Sequence, residues 1–76
     1  MDFKTNAKES GDVDAIAKKL QEKFPDNKLD IELENTYKVL HVHGLPEDNL
    51  HAAQVESAIK EAGFEGSWLT RGLENK

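Results

Sequence analysis

The chain has 76 residues, no cysteine and a formal net charge of −5 at pH 7. The length fits one domain, residues 1–76 with a short polar tail from about residue 72, and the lack of cysteine excludes disulfides, thiolate catalysis and thiolate metal ligands. The acidic balance argues against a nucleic-acid partner, since phosphate backbones are bound by clustered lysine and arginine.

The first third of the chain predicts a strand followed by a helix. In residues 3–7 the apolar and small side chains alternate to one side, as they do in a half-buried strand. An amphipathic helix begins at Val13 and ends before Pro25, which cannot continue it. Its apolar stripe consists of Val13, Ile16, Ala17, Leu20 and Phe24.

The middle of the chain predicts two adjacent antiparallel strands. Residues 29–34 alternate aliphatic with acidic side chains, which predicts an exposed edge strand with a charged outer face. After a turn at residues 34–36, residues 37–44 predict the second strand of the hairpin. One face of that strand carries Leu40 and Val42, and the other carries His41 and His43.

The last third predicts a second helix and a final strand. Asp48 or Asn49 can cap this helix, and Gly63 suits the left-handed position that follows a helix end. Residues 64–70 then predict a strand that Gly66 interrupts. Its Trp68 either packs at the rim of the core or is an exposed anchor, and packing is favoured. The apolar stripe of the helix comprises Leu50, Ala53 or Ala52, Val55, Ala58, Ile59 and Ala62.

The order βαββαβ in a chain of this length predicts an α+β, ferredoxin-like fold. Such a fold is a four-stranded antiparallel sheet with both helices on one face. The other face of the sheet is expected to stay open to solvent. The predicted core is Ile16, Leu20, Leu29, Ile31, Leu33, Leu40, Val42, Val55, Ile59 and Phe64. The predicted open face carries Asp30, Glu32, Glu34, His41 and His43.

The turn before the first helix carries several acidic residues. Asp12, or Ser10 if the helix begins earlier, can accept hydrogen bonds from the unpaired N–H groups of the first helical turn. Glu9 and Asp12 can instead provide oxygen ligands for a weakly bound hard divalent ion. Capping and metal binding both remain open at this point, and no other cofactor is expected.

A second candidate metal site is the pair His41 and His43. Residues two apart on a strand share a face, and imidazole binds Zn²⁺, Ni²⁺ and Cu²⁺. A third ligand can come from Glu32 or Asp30 across the hairpin. We interpret the third histidine, His51, as a solvated surface residue.

Catalysis is not expected of this chain. No nucleophile or cofactor-binding loop accompanies Glu9 and Asp12, and so short a chain offers no obvious cleft. Ser10 and Ser67 have no histidine at a spacing that indicates a catalytic triad. These observations favour a protein-interaction module over an enzyme.

Three short segments resemble the heavy-metal-associated domains of copper chaperones and of metal-pumping ATPases. TNAKESGDV, residues 5–13, is similar to the metal-binding turn T-N-x-K-C-x-G-C-V of a subgroup. HVHG, residues 41–44, and EAGF, residues 61–64, are similar to that family's V-x-G and A-G-[YF] segments. The resemblance covers nearly the whole chain and implies the same ferredoxin-like fold.

The resemblance also implies where the site lies and what binds there. Glu9 and Asp12 occupy the positions of the two metal-binding cysteines, Ser10 and Gly11 lie between them, and Phe64 is an aromatic neighbour. The soft-metal site is then lost, because carboxylates have little affinity for Cu(I). The implied partner is a metal-transport ATPase or a related domain, docking on the turn and the first helix.

The same reading predicts a cytoplasmic monomer. The sequence has no apolar run with the length of a secretory signal or a bilayer-spanning helix, so membrane insertion is not expected. The acidic side chains along the predicted edge strand disfavour strand pairing between two copies.

Overall fold

Six elements follow one another in the order strand, helix, strand, strand, helix, strand in the computed structural model, which describes residues 1–69. They are β1 (Asp2–Thr5), α1 (Ser10–Lys23), β2 (Asp30–Glu34), β3 (Val39–His43), α2 (Asn49–Glu61) and β4 (Gly66–Leu69). The predicted polar tail and the predicted strand residue Thr70 lie outside the described residues.

The four strands form one antiparallel sheet in the order β2-β3-β1-β4. Phe3 of β1 lies opposite Leu40 of β3 and Trp68 of β4, so these three side chains share the inner face. β2 is an edge strand, as its acidic outer side chains predicted. The architecture is the ferredoxin-like βαββαβ fold that the element order predicted.

The core lies between the inner face of the sheet and the two helices. Six of the predicted core residues are fully buried, while Leu29, Ile31, Leu33 and Phe64 are half-buried at its rim. Trp68 also packs against this rim, as predicted. The buried hydrophobic residues are Met1, Phe3, Ala7, Ile16, Leu20, Leu40, Val42, Ala52, Val55, Ala58 and Ile59.

Two predicted element boundaries are wrong in the middle and at the end of the chain. The turn after β2 extends through Lys38, whose φ of 58° is left-handed and incompatible with an extended strand. β3 therefore begins at Val39, and Tyr37 is 69% exposed in the turn. β4 begins at Gly66, which therefore does not interrupt it.

The apolar stripe of α2 differs from its prediction at the first turn. Ala52, and not Ala53, is buried with Val55, Ala58 and Ile59. Leu50 is 66% exposed. The reason is helical phase. Leu50 precedes Ala52 by two residues, or about 200° of rotation, so it lies on the opposite side of the helix from the buried face. The predicted C-terminal glycine is confirmed, since Gly63 has φ 98°.

The start of α2 is capped by Asp48, as predicted. Its Oδ1 accepts the backbone N–H of His51 at 2.8 Å and lies 2.7 Å from the Nδ1 of the same residue. The backbone hydrogen bond, followed by the ring hydrogen bond, lowers the pKa of the Asp48 carboxyl. His51 is half-buried and stacks on Phe24 with ring centroids 5.9 Å apart, so its prediction as a solvated residue is wrong.

Candidate functional site

The site that the sequence singled out is the turn between β1 and α1. β1 ends at Thr5, whose hydroxyl accepts the backbone N–H of Ala7 at 3.2 Å. Thr5 and Ala7 are buried, and this anchors the chain where it leaves the sheet. Lys8, Glu9, Ser10 and Gly11 then lie exposed at the surface. The turn is therefore an exposed loop that follows two buried anchoring residues.

Two acidic residues occupy the helix start in different ways. Glu9 is the N-cap residue, and its carbonyl oxygen accepts the N–H groups of Asp12 and Val13 at 3.0 and 3.1 Å. The carboxylate of Asp12 turns back, and its Oδ2 accepts the N–H groups of Lys8 and Glu9 at 3.0 and 3.2 Å. Asp12 thus provides a hydrogen-bond acceptor for the backbone N–H groups immediately before the helix, as one half of a capping box does.

This arrangement revises the predicted helix start. α1 begins at Ser10, earlier than the predicted Val13, and neither Asp12 nor Ser10 is its N-cap residue. Asp12 lies within the first turn and caps from there. Glutamate is not among the preferred N-cap residues. The bonds to Asp12 satisfy different donors, the N–H of the N-cap residue Glu9 and that of Lys8 before it.

Replacing Asp12 by alanine should destabilise the domain by about 1 kcal/mol, the usual effect of losing a helix cap. The variant leaves the N–H groups of Lys8 and Glu9 without their acceptor. Asp14→Ala is the matched control, because Asp14 is also acidic and lies in the first turns of α1, where its side chain is exposed. Urea unfolding of both variants measures the difference, and equal midpoints would contradict the capping role of Asp12.

The α2–β4 loop lies beside this turn. The side-chain oxygen of Asn6 accepts the backbone N–H of Glu65 at 2.9 Å, although the two residues are 59 positions apart in the sequence. Phe64, next to Glu65, is half-buried and packs against the core. The hydrogen bond therefore places the loop that carries the predicted aromatic neighbour alongside the candidate site.

An open depression that the sequence did not predict borders the turn. Its volume is about 270 Å³. The depression lies between the start of α1 and the end of β2. These elements are separate in the sequence, which does not show how close together they lie in the fold. The residues that line it are Lys8, Glu9, Ser10, Val13, Asp14, Leu33 and Asn35.

The second predicted site lies on the open face of the sheet, remote in sequence from the turn. His41 and His43 both project outward from β3, since Leu40 and Val42 are buried. The register sets Glu32 opposite His41 and Asp30 opposite His43. The register thus places both candidate third ligands directly across the hairpin from the two histidines.

One partner of His41 was not predicted. Its Nδ1 lies 2.7 Å from Oδ1 of Asp2, which faces it from β1 on the other side. The alternation of β1 places Asp2 on the outer face, but the register between β1 and β3 is a long-range pairing that no local pattern specifies.

Metal ligands are sparse at both predicted positions. Within residues 1–69, no three or more histidine, aspartate or glutamate side chains are grouped so that they could hold a metal ion. The whole chain lacks cysteine, so neither position offers a thiolate. Oxygen ligands favour ions such as Mg²⁺, Ca²⁺ and Mn²⁺, whereas imidazole suits Cu²⁺, Ni²⁺ and Zn²⁺.

Solved structures with the same architecture include a copper chaperone. The copper chaperone Atx1 from Synechocystis PCC6803, in its Cu2 form, superposes with a TM-score of 0.66 over 88% of this chain and 98% of its own, at 16% identity. The chain shares its fold with a copper chaperone. A second structure, described as "Crosstalk between Cu(I) and Zn(II) homeostasis", superposes with a TM-score of 0.65 over the same shares, at 19% identity.

The comparison supports the predicted heavy-metal-associated type of fold for a chain without cysteine. No model of a known protein family matches the sequence, and no curated protein matches it. Among residues 1–69, neither helix combines the length and the apolar character that crossing a membrane requires.

Proposed function

We propose that this chain is a non-catalytic domain of the heavy-metal-associated type in which Glu9 and Asp12 replace the two metal-binding cysteines. It functions as a protein-interaction module and does not carry a soft metal ion. The partner is a metal-transport ATPase or a related domain, which docks on the β1–α1 turn and on α1. Neither catalysis nor a tightly bound cofactor is part of this function.

The observation that carries the proposal is the pair of hydrogen bonds from Lys8 and Glu9 to the Asp12 carboxylate. In this turn a protein side chain, the carboxylate of Asp12, ties the loop to the helix start. Carboxylate oxygens are also poor ligands for Cu(I), which selects soft thiolate and thioether sulfur.

The same bonds disfavour a hard-metal site at Glu9 and Asp12. One oxygen of Asp12 already accepts two N–H groups, and a metal ion there would compete with both. Ca²⁺ takes six to eight oxygen ligands, so two carboxylates would leave most of its coordination shell to water. Weak binding of a hard divalent ion at this turn is therefore an outcome of the test and not the proposed function.

The depression beside the turn supports a docking role. It combines the apolar side chains of Val13 and Leu33 with the charged ends of Lys8 and Glu9. A partner side chain could bury apolar area there while its polar atoms meet the charged rim, which is the usual anatomy of a small interface. Lys18, further along α1, is exposed and extends this surface along the helix.

The proposal is tested by titrating the unmodified protein with Cu(I) in the absence of oxygen, against a chelator of known affinity. We expect the chelator to retain the copper. In parallel, amide spectra are recorded with Ca²⁺, Mn²⁺ and Zn²⁺, and separately with the metal-binding domain of a transport ATPase from the same organism. The ATPase domain should shift amide signals of the turn and of α1, and the hard ions should leave residues 9–13 unchanged.

Two outcomes would contradict the proposal. Stoichiometric capture of Cu(I) from the chelator would show that the turn keeps a soft-metal function without thiolates. Saturable shifts confined to residues 9–13 with Ca²⁺, or broadening confined to them with Mn²⁺, and no shifts with the ATPase domain, would make the chain a hard-metal binder.

A further inference from the structure

We infer that His41 and His43 form a chelating site for one Cu²⁺ ion, or a related divalent transition-metal ion, on the open face of the sheet, with Asp2 holding the ring of His41 in place. This site is separate from the β1–α1 turn and uses nitrogen ligands. It therefore does not depend on the proposed interaction function.

The backbone of β3 brings the two rings together. Both side chains leave the same face of the strand, because Leu40 and Val42 point into the core. Residues two apart on a strand are about 7 Å apart along it, a span that two imidazole rings can close around an ion bound at about 2.0 Å from each nitrogen. His43 is exposed and His41 half-exposed, so an ion can reach both from solvent.

Asp2 orients the ring of His41 and leaves its Nε2 for a metal ion. An ionised carboxylate only accepts hydrogen bonds, so the Nδ1 of His41, 2.7 Å from Asp2 Oδ1, is the donor. When the ring binds an ion, Nε2 is then the nitrogen that presents its lone pair. A carboxylate on one ring nitrogen is the arrangement that commonly orients a metal-binding histidine and raises its basicity.

The surroundings favour a cation over an anion. Glu32 lies opposite His41, and Asp30 lies opposite His43 on the neighbouring edge strand. Cross-strand neighbours have their Cβ atoms about 5 Å apart, so a rotated carboxylate can approach an ion held by the rings. Since no group of three ligands is assembled in residues 1–69, two nitrogens and water form the initial coordination.

The nature of the ligands selects the ion. Imidazole nitrogen suits Cu²⁺, Ni²⁺ and Zn²⁺, and Cu²⁺ has the highest affinity in this series. The α-amino group, another nitrogen that can bind Cu²⁺, is buried and donates a hydrogen bond to the carbonyl oxygen of Val42 at 2.7 Å. Within residues 1–69, the strand pair is therefore an accessible nitrogen site that offers two ligands to one ion.

The test measures Cu²⁺ affinity of the full chain by competition with glycine, together with paramagnetic broadening of amide signals. The unmodified protein should bind one equivalent and lose signals around residues 41–43. His41→Asn and His43→Asn should each weaken binding at least tenfold. His51→Asn is the matched control, because His51 lies in α2, outside the sheet, and faces Asp48 and Phe24, and it should retain the affinity.

A further variant tests Asp2 as a positioning residue. Asp2→Ala should weaken Cu²⁺ binding about tenfold, the effect typical of losing a carboxylate behind a metal-binding histidine. Lys4→Ala, the next outward residue on β1, should not weaken it. Unfolding midpoints of both variants separate a loss of stability from a loss of affinity.

Affinity that survives both His41→Asn and His43→Asn, or broadening centred outside β3, would overturn the inference. Equal Cu²⁺ affinities of Asp2→Ala and the unmodified protein would overturn the role of Asp2. Because this readout lies on β3, and the test of the proposed function is read at residues 9–13 and α1, failure of one is distinguishable from failure of the other.

Discussion

Replacing Gly44 by alanine should destabilise the domain by about 2–5 kcal/mol, from left-handed backbone strain of about 1–2 kcal/mol and overpacking of about 1–3 kcal/mol. A domain of this length is expected to be stable by roughly 4–11 kcal/mol, so the variant would lose a large part of it. Urea unfolding, followed by circular dichroism, measures the change as a lower midpoint.

Two independent features of Gly44 produce this effect. Its φ of 109° lies in a region that residues with a Cβ rarely adopt. A Cβ on this backbone would also lie 2.3 Å from the carbonyl oxygen of Lys28 and 3.3 Å from Cα of Leu29. Both neighbours are backbone atoms, so no side chain can rotate away, and the loop before β2 must move.

That loop is tied to Gly44 and cannot shift without further loss. The side-chain nitrogen of Asn27 donates a hydrogen bond to the carbonyl oxygen of Gly44 at 3.1 Å. Moving Lys28 away from a new methyl group would pull on this bond and on the start of β2 next to it. The expected loss of stability therefore comes from the contact between the loop before β2 and the loop that contains Gly44, as well as from the backbone strain at Gly44.

Gly11→Ala is the matched control for this prediction. Gly11 lies in α1, and no heavy atom lies within 4 Å of the position that an added Cβ would occupy. The variant should therefore gain about 0.5–1 kcal/mol from the lower entropy of the unfolded chain. A Gly44→Ala variant as stable as the unmodified protein would contradict the account of this turn.

Local periodicity was sufficient to predict the fold. Alternation in residues 29–34 and the helical stripe that contains Ile16 and Leu20 each require one buried face, and only a few arrangements of six such elements bury all of them. The confirmed element order and the edge position of β2 follow from these patterns. The predictions failed where helical phase or turn conformation determines whether a side chain is buried, as for Leu50 and Tyr37.

The candidate sites depended on information that local patterns do not contain. That Glu9 and Asp12 lie at a helix start could be predicted, but the direction of the Asp12 carboxylate toward Lys8 required the folded turn. The pairing of Asp2 with His41 depends on the register between β1 and β3. Long-range registers are set by the whole packed core, so a single local pattern cannot specify them.

The double substitution Glu9→Cys with Asp12→Cys should convert the chain from one that leaves Cu(I) to a chelator into one that removes Cu(I) from it. The two thiols would stand at the N-terminus of α1, where the helix dipole and the free N–H groups lower thiol pKa values and favour the thiolate. Two thiolates at this spacing match the softness that Cu(I) selects.

The metal-free double variant should be less stable than the unmodified protein by about 1 kcal/mol, because the Asp12 carboxylate no longer accepts the N–H groups of Lys8 and Glu9. Copper should reverse this loss. A ligand that binds only the folded chain, at a free concentration of 100 times its Kd, adds about 2.7 kcal/mol. The sign of the change in unfolding midpoint on adding Cu(I) therefore reports binding at the turn directly.

The single variants Glu9→Cys and Asp12→Cys are the controls, since each offers one thiolate on the same turn. Neither should remove copper from the chelator, and only Asp12→Cys should lose the capping bonds. If the double variant binds no more Cu(I) than the singles, the β1–α1 turn does not have the geometry of a metal-binding turn. Glu9 and Asp12 would then be helix-start residues alone, and the proposed relation of this turn to the two cysteine positions would be wrong.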